Sequence, residues 1–269
     1  MKGRPDEWAG AIPLVVAHAK RERARTILRA AFPRRKGRLV FARNGDEVRE
    51  ALRTSLVDAV IVDIAGAQEE AWKVTSLAGD HPTTAFFGIT PLRVADASAV
   101  ADCVHRDFAG VLVEGVDDAV ARDVVLRASF SARFARALAH PPSSLSLGSS
   151  IQHQVWTLVV ARAGRPVRTE TLATELHLTR EHLSRSFAAN GSPNLKRVID
   201  LIRVIAAAEL AKNPGLDLRD VATVLGFASP SHLSTTSLRI AGTKPVSLTR
   251  LRTVDIIARF VHGHGRSRA

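Results

Sequence analysis

The sequence is poor in cysteine and in long apolar runs, and these absences exclude several classes of protein. Its 269 residues include one cysteine, Cys103, so the chain can form neither an internal disulfide nor a zinc site built from several cysteines. No segment approaches the ~18 uninterrupted apolar residues of a membrane span, and no apolar stretch follows the charges of the first ten residues. We therefore expect a soluble, cytoplasmic protein without a membrane partner.

The sequence also lacks the short motifs that mark common catalytic and cofactor sites. It contains no GxxxxGK[ST], no GxGxxG after a strand, no HExxH and no GxSxG. We therefore expect a protein that is not an enzyme and that has no catalytic residue, no cofactor and no resident metal.

Acidic residues are scarce relative to basic ones. The net charge is +12, and residues 151–269 carry 17 basic and 8 acidic residues, against 21 and 18 in residues 1–140. Such an excess attracts polyanions, with nucleic acid ahead of an anionic membrane surface. The C-terminal half is therefore the candidate polyanion-binding part.

One stretch has the composition of a linker. HPPSSLSLGSS, at residues 140–150, concentrates proline, serine and glycine and contains no Asp, Glu, Lys or Arg. We place a linker at 141–150, an N-terminal domain at 11–140 and a C-terminal domain at 151–269.

The N-terminal domain alternates apolar runs of strand length with segments of helical period. The five runs are PLVVAHA, RLVFAR, DAVIVDI, TAFFGIT and AGVLVEG, and a last helix is predicted near 118–139. This alternation predicts an α/β domain with a doubly wound, parallel five-stranded sheet of the flavodoxin-like type. Because the C-terminal domain shows only helical spacing, we expect it to be all-α.

A first helix-turn-helix is predicted in TETLATELHLTREHLSRSF, at residues 169–187. Leu172, Ala173 and Leu176 form one apolar face, and the pattern breaks at residues 177–178 before Thr179 can cap a second helix. That second helix turns Leu183 and Phe187 inward and has a polar, charged outer face, which is typical of a DNA recognition helix.

VATVLGFASPSHLSTTSL, at residues 221–238, repeats the plan. Asp217 caps a helix with an apolar inner face, Gly226 supplies a turn, and Ser229 caps a helix that begins at Pro230. Small side chains and hydroxyls allow a helix to approach a DNA groove and to bond phosphates or base edges. About 17 helical residues separate the two pairs, a spacer of roughly 25 Å that suits two recognition helices about one DNA turn (~34 Å) apart.

These motifs resemble the DNA-binding domain of the AraC family of bacterial transcription regulators. LTREHLSRSF, RVIAAAELA, DVATVLGFASPSHLS and GTKPVSLTR occur in the family's order and spacing between residues 151 and 250. The chain departs from the family at Thr235, where arginine is usual, and at Ser237 and Ala241, where aromatics are common. Because STTS is also poor helix material, we expect the second recognition helix to be short or frayed and its base reading limited.

The resemblance implies a role for each matching residue. Glu181, Ser184 and Arg185 would face bases in the first unit, with Arg180 and His182 near phosphates. In the second unit the corresponding places fall to Ser231, His232, Ser234 and Thr235, and the Ser229 N–H would bind a phosphate. The alternative for both sets is a merely solvated helix face.

The N-terminal domain resembles the receiver domain of response regulators. Asp63 ends the third apolar run, where the family accepts a phosphoryl group, and Thr90 ends the fourth, where the family binds it. Ala17, His18 and Ala19 stand where an acidic pair should hold Mg²⁺, and Glu114 stands where a lysine is expected. We therefore expect a degenerate receiver. The alternatives are purely structural roles. Asp63 would then be a strand-end carboxylate bonded to backbone N–H groups, and Thr90 would be a turn hydroxyl.

Together these patterns predict a sequence-specific transcription regulator that binds double-stranded DNA and has a pseudo-receiver domain for regulation or dimerisation. A homodimer and a protein or small-molecule effector at the N-terminal domain are the partners this reading suggests. The alternatives are a response regulator phosphorylated at Asp63, and a protein-interaction adaptor whose DNA-binding domain has degenerated.

Overall fold

The computed structural model describes residues 12–66 and 69–266. Their contacts group them into two compact units. The α/β unit contains Ile12–Arg133 together with Lys212–Asp220. The helical unit contains Phe134–Ala211 and the described residues from Val221 onward. The predicted domain limits of 11–140 and 151–269 remain predictions.

The α/β unit contains one parallel five-stranded sheet. Its strands are β1 Leu14–His18, β2 Arg38–Phe41, β3 Ala59–Asp63, β4 Ala85–Thr90 and β5 Gly110–Val113, in the order β2-β1-β3-β4-β5. The helices between them are α1 Glu22–Ala31, α2 Gly45–Thr54, α3 Glu69–Asp80 and α4 Ala97–His105. This strand order is that of flavodoxin-like folds, so the predicted doubly wound sheet is confirmed.

The apolar runs form strands because helices cover both faces of the sheet. Every residue of β1, β3 and β4 is buried. Their side chains belong to two apolar clusters. One cluster surrounds Val60 and Phe86, and the other surrounds Ile61 and Phe87. Alternate residues of one strand therefore serve opposite layers.

The single helix predicted near 118–139 is wrong. The structure has two helices there, α5 Ala121–Ala128 and α6 Phe130–Ala137, separated at Ser129. Ser129 adopts an extended conformation with ψ 153°, and its hydroxyl accepts a hydrogen bond from the N–H of Ala132. Buried Asp58 accepts the N–H of Ser131 at 3.3 Å, which fixes the start of α6. The break is thus specified by a carboxylate distant in sequence.

After α6 the described chain continues with eight α-helices. They are α7 Ser150–Ala161, α8 Thr169–Glu175, α9 Arg180–Phe187, α10 Leu195–Leu210, α11 Leu218–Val224, α12 Pro230–Ala241, α13 Pro245–Leu248 and α14 Thr253–Arg266. No β-strand occurs among the described residues of this part of the chain, as expected from its helical spacing. No helix in 12–66 or 69–266 combines the length and apolarity needed to cross a membrane.

Part of the predicted linker packs into the helical unit. Ser143–Leu145 forms a 3-10 turn, and Leu145 and Leu147 are buried. The Ser149 hydroxyl then accepts the N–H of Gln152 and starts α7. The stretch therefore contributes to the core despite its linker composition.

Candidate nucleic-acid interface and receiver-like site

The first candidate DNA-contacting element is the α8–α9 pair. α8 ends before His177, which has φ 55°, so the chain turns where the helical pattern of the sequence breaks. The Thr179 hydroxyl accepts the N–H of His182 at 3.2 Å, and α9 starts there. Leu183 and Phe187 are fully buried and anchor α9. The predicted cap and inner face of this pair are both present.

The outer face of α9 is exposed at every position proposed for DNA contact, namely Arg180, Glu181, His182, Ser184 and Arg185. The Arg180 guanidinium lies 3.3 Å from the Glu170 carboxylate of α8, in solvent. Because exposed pairs of this kind are weak, a phosphate can displace the carboxylate. The Arg185 guanidinium donates a long hydrogen bond of 3.4 Å to the Glu181 carbonyl, and among the described residues no carboxylate pairs with it, so its terminal N–H groups can meet a ligand.

The second candidate element is the α11–α12 pair. The Asp217 carboxylate accepts the N–H groups of Arg219 and Asp220 at the start of α11, as a helix cap does. Gly226 has φ 61°, a conformation that glycine adopts without strain. Ser229 accepts the N–H of His232 at 3.1 Å and Pro230 opens α12. The order of cap, helix, turn and cap is the one that the sequence predicted.

The expectation of a short or frayed second recognition helix is wrong. α12 has 12 residues, against 8 for α9. Tertiary packing outweighs the poor propensity of its serines and threonines, because Leu233 and Ile240 are buried and the buried Ser237 hydroxyl donates to the Thr243 carbonyl at 2.7 Å. Gly242, at φ 64°, then ends the helix in a left-handed conformation. Ser237 therefore replaces an aromatic core residue by a satisfied hydrogen bond.

The outer face of α12 has neither arginine nor lysine at its proposed contact positions, unlike that of α9. Ser231, His232 and Thr235 are exposed and Ser234 is half-buried. The Thr235 hydroxyl donates to the Ser231 carbonyl at 2.9 Å, and the His232 ring packs edge-on against Phe227 at 5.6 Å between centroids. These groups are small and uncharged or already engaged, so this face is suited to close backbone approach more than to strong base recognition.

A buried helix, α10, joins the two pairs. Thirteen of its 16 residues are buried, including the charged Arg203. The Arg203 guanidinium lies 3.8 Å from the centroid of the Phe227 ring and donates to the carbonyls of Leu225 and Gly226 at 3.0 and 3.2 Å. Desolvation lowers the pKa of Arg203 from its ordinary value. Arg203 thus ties the spacer helix to the turn of the second pair.

The receiver-like site of the α/β unit is filled by a guanidinium. Arg21, from the loop after β1, donates to both carboxylate oxygens of Asp63 through Nε at 2.9 and 3.1 Å and through a terminal nitrogen at 2.6 Å. The same terminal nitrogen donates to the Glu114 carboxylate after β5. Both carboxylate side chains are almost fully buried, at 4% and 2% exposure. One cation therefore bridges the acidic groups of two strand ends.

The charge state of Arg21 is held by its partners. Burial acts to lower the pKa of its guanidinium, but the hydrogen bonds to Glu114 and then to Asp63 outweigh this effect and raise the pKa. A second cation, Arg23, approaches the other oxygen of Glu114 at 3.6 Å from the solvent side. Arg21 and Arg23 thus both face the Glu114 carboxylate, whose second oxygen is buried and accepts no hydrogen bond from the described residues.

Thr90 belongs to a separate hydrogen-bonded turn. Its buried hydroxyl donates to the Asp96 carboxylate at 2.7 Å and accepts the N–H of Leu92 at 3.1 Å. Asp96 also accepts the N–H of Arg93. Burial opposes ionisation of Asp96, but the hydrogen bonds from Thr90 and the backbone outweigh it and lower the pKa of this carboxyl. The hydroxyl predicted to bind a phosphoryl group is therefore already engaged.

The sequence identified Asp63, Thr90 and Glu114 but missed Arg21. A usable signal was present, because a basic residue follows the first strand in AHAKR, at the sheet end where Asp63 and Glu114 also lie. No group of three or more His, Cys, Asp or Glu side chains that could hold a metal ion occurs in the part of the chain that the structure describes.

Comparison with known proteins identifies the C-terminal region. Residues 172–250 match a family model described as a helix-turn-helix domain. None of the curated proteins compared with the chain matches it. Full-length FixJ from B. japonicum is similar at 12% identity and a TM-score of 0.37, covering 89% of this chain and 98% of that one.

A response regulator protein from Burkholderia pseudomallei, with a phosphorylated aspartic acid, calcium ion and citrate, is similar at 16% identity and a TM-score of 0.34. The match covers 66% of this chain and 99% of the chain of that response regulator. The fold of the α/β unit rests on its own strand order. The predicted DNA-binding region is confirmed: the chain carries, within residues 172–250, an AraC-type helix-turn-helix domain.

Proposed function

We propose that this protein is a sequence-specific transcription regulator in which α9 supplies most of the base reading and α12 supplies close backbone contact. The observation that carries the proposal is the pairing of two capped, exposed polar helices with one buried helix, α10, between them. Sixteen residues of α10 give a spacer of ~24 Å, which suits adjacent major-groove segments on one face of double-stranded DNA.

The affinity would come chiefly from phosphate contacts. Residues 151–269 carry nine more basic than acidic residues, and such charge drives salt-dependent binding to DNA. We assign Arg180, His182 and the Ser229 N–H to phosphates, and Glu181, Ser184 and Arg185 to base edges. Ser231, His232, Ser234 and Thr235 are assigned the corresponding, weaker contacts of α12.

The α/β unit would regulate without phosphorylation of Asp63. The carboxylate that would have to attack a phosphoryl donor is held by Arg21, and a phosphoryl group would add negative charge beside Glu114. The mechanism of the response regulator therefore lacks support at this site. A homodimer and an effector at this unit remain predictions.

Selection of bound sequences from a random DNA pool tests the proposal, with the full-length protein at near-physiological salt. We expect one enriched motif that spans one or two adjacent groove segments. Arg185→Ala should then weaken binding to that motif by about 1–3 kcal/mol while weakening binding to random DNA less. Arg49→Ala is the matched control, because Arg49 is an exposed cation of the α/β unit that pairs with Asp46.

Two results would contradict parts of this proposal. If no motif is enriched, the helical unit is not a sequence-specific binder, and an acidic protein partner becomes the better interpretation of its charge. If Arg185→Ala weakens specific and random DNA equally, Arg185 contacts a phosphate and does not read a base. Thr235→Ala, with an expected loss of below about 1 kcal/mol, tests the minor role of α12.

A further inference from the structure

The α/β unit has an open groove at the β2 edge of its sheet. The groove lies between the end of α1 and β2, has a volume of about 850 Å³ and is lined by the apolar side chains of Ile12, Phe32, Leu39 and Phe41, which form its floor. Pockets that bind small molecules have volumes of about 300–1,000 Å³ and are mostly apolar with a few polar groups. The groove therefore has the size of a ligand site.

The floor of the groove is held in place by the core. Phe32 is buried, and Leu39 and Phe41 pack against the cluster around Ile61. The guanidinium groups of Arg25 and Arg29 lie 4.1 and 5.4 Å from the centroid of the Phe41 ring and help to hold that ring in place. The apolar surface is therefore preformed.

Gly37 lines the groove beside Phe32. A Cβ at this position would lie 3.4 Å from Cδ1 of Phe32, which is ordinary contact with a ring that lines the groove. Alanine would thus be tolerated there and would narrow the space above Phe32.

Three arginines border the groove, Arg29, Arg34 and Arg38. Arg29 pairs with Glu22 at 2.6 Å, whereas Arg34 and Arg38 are exposed and have no carboxylate partner within the described residues. Residues 22–43 contain eight basic residues and one acidic residue, a net +7, while the rest of 1–140 contains 13 basic and 17 acidic residues, a net −4. The net positive charge of this half of the chain is therefore concentrated in residues 22–43, and three of the eight basic side chains there line the groove.

We propose that this groove binds an amphipathic organic anion, a carboxylate on an aromatic or long aliphatic body. The guanidinium groups of Arg34 and Arg38 would pair with the carboxylate, for which the planar fork of arginine is well matched. The apolar body would cover Leu39, Phe41 and the exposed Ile12. The site goes beyond the DNA-binding function, and its occupancy can be measured without DNA.

A polyanion is the competing occupant, and the geometry favours the small molecule. A nucleic-acid backbone would engage every exposed cation of PRRKGR, including Arg35 and Lys36, and would leave the apolar floor unused. Arg35 and Lys36 do not line the groove, whereas Arg34 and Arg38 do. This difference separates the two occupants in a mutational test.

The test uses the full-length protein and 4-phenylbutyrate as the probe, with binding measured by ligand-observed NMR and by the rise in Tm. Two matched compounds divide the interaction, since 4-phenylbutan-1-ol keeps the body without the charge and butyrate keeps the charge with a shorter body. We expect 4-phenylbutyrate to bind at least about tenfold more tightly than either compound. Arg34→Gln and Arg38→Gln should each weaken it by about tenfold, and Arg35→Gln should change it by less than about twofold.

Gly37→Ala provides a second test, because it changes the shape of the groove without changing charge. It should weaken the probe while leaving the Tm of the free protein within a few degrees of its original value. Two outcomes overturn the proposal. One is equal binding of the probe and both matched compounds, or no binding of the probe. The other is equal weakening by Arg34→Gln, Arg35→Gln and Arg38→Gln together with displacement of the probe by random-sequence DNA, which identifies a polyanion surface.

Discussion

Arg21→Ala should destabilise the α/β unit, because it leaves two buried carboxylates without their shared cation. Asp63 and Glu114 have side chains that are 4% and 2% exposed, and Arg21 donates to both. Removal of one partner from a buried ion pair costs about 3–5 kcal/mol. Since the Arg21 side chain is itself 28% exposed, water can replace some of its hydrogen bonds, and we expect a loss of about 2–4 kcal/mol.

The loss of stability should be read from peptides of the α/β unit within the full-length protein, because a protein of two units need not unfold in one step. Pulse-labelling hydrogen exchange in increasing urea, read on peptides that cover β1 and β3, gives its free energy of unfolding. Arg23→Ala is the matched control, since Arg23 also approaches Glu114 but is 69% exposed. It should cost less than about 0.5 kcal/mol.

Neutralising the stranded carboxylates should restore stability. Adding Asp63→Asn and Glu114→Gln to Arg21→Ala removes both buried charges, so at least half of the loss should return. If Arg21→Ala is as stable as Arg23→Ala, the guanidinium does not compensate buried charge. If the triple variant is no more stable than Arg21→Ala, the loss comes from packing of the arginine side chain.

Three further predictions follow from other buried groups. Arg203→Ala should lower the free energy of unfolding by about 2–3 kcal/mol and increase hydrogen exchange in α11 and α12, because it removes two hydrogen bonds and the contact with Phe227. Arg197→Ala is the control on the same helix. Equal losses of stability in the two variants would contradict this role of Arg203. Burial lowers the pKa of His81 in the folded protein below its ordinary value of 6.5. As the pH drops below about 6.5, the imidazole therefore binds a proton more readily in the unfolded chain than in the folded one, and the free energy of unfolding should fall. His81→Gln should flatten that profile in urea titrations at several pH values, and an unchanged slope would assign it to other groups. Burial raises the pKa of the Cys103 thiol to about 11, so iodoacetamide at pH 8 should label it only after unfolding, and fast labelling of the native protein would refute this.

The sequence was most informative where local chemistry alone decides the structure. The apolar run of β3 is short and rich in β-branched residues, which favours a strand buried on both faces. Gly226 permits a turn because it has no side chain, and the Thr179 hydroxyl caps a helix. The inner face of α9 followed from Leu183 and Phe187, which lie four residues apart. These features depend on neighbours within a few positions of the chain.

The sequence was least informative where distant residues decide. The break at Ser129 depends on Asp58, which lies more than 70 positions earlier. Arg21 acquires its role only when the sheet brings Asp63 and Glu114 together at the carboxyl ends of its strands. The stability of α12 depends on a hydrogen bond from Ser237 to a carbonyl beyond the helix, so its low propensity was misleading. Such contacts are products of the fold and have no periodicity to detect.

The burial of α10 limits the layout of any operator that both helix pairs would read. Because close packing encloses 13 of its 16 residues, we expect α10 to resist bending and to hold α9 and α12 at a nearly fixed distance and angle. Base changes between the two groove segments would cost little, whereas inserting about five base pairs there would rotate one segment to the far side of the duplex. Helical phasing of the DNA, more than the identity of the intervening bases, would then decide which promoters respond.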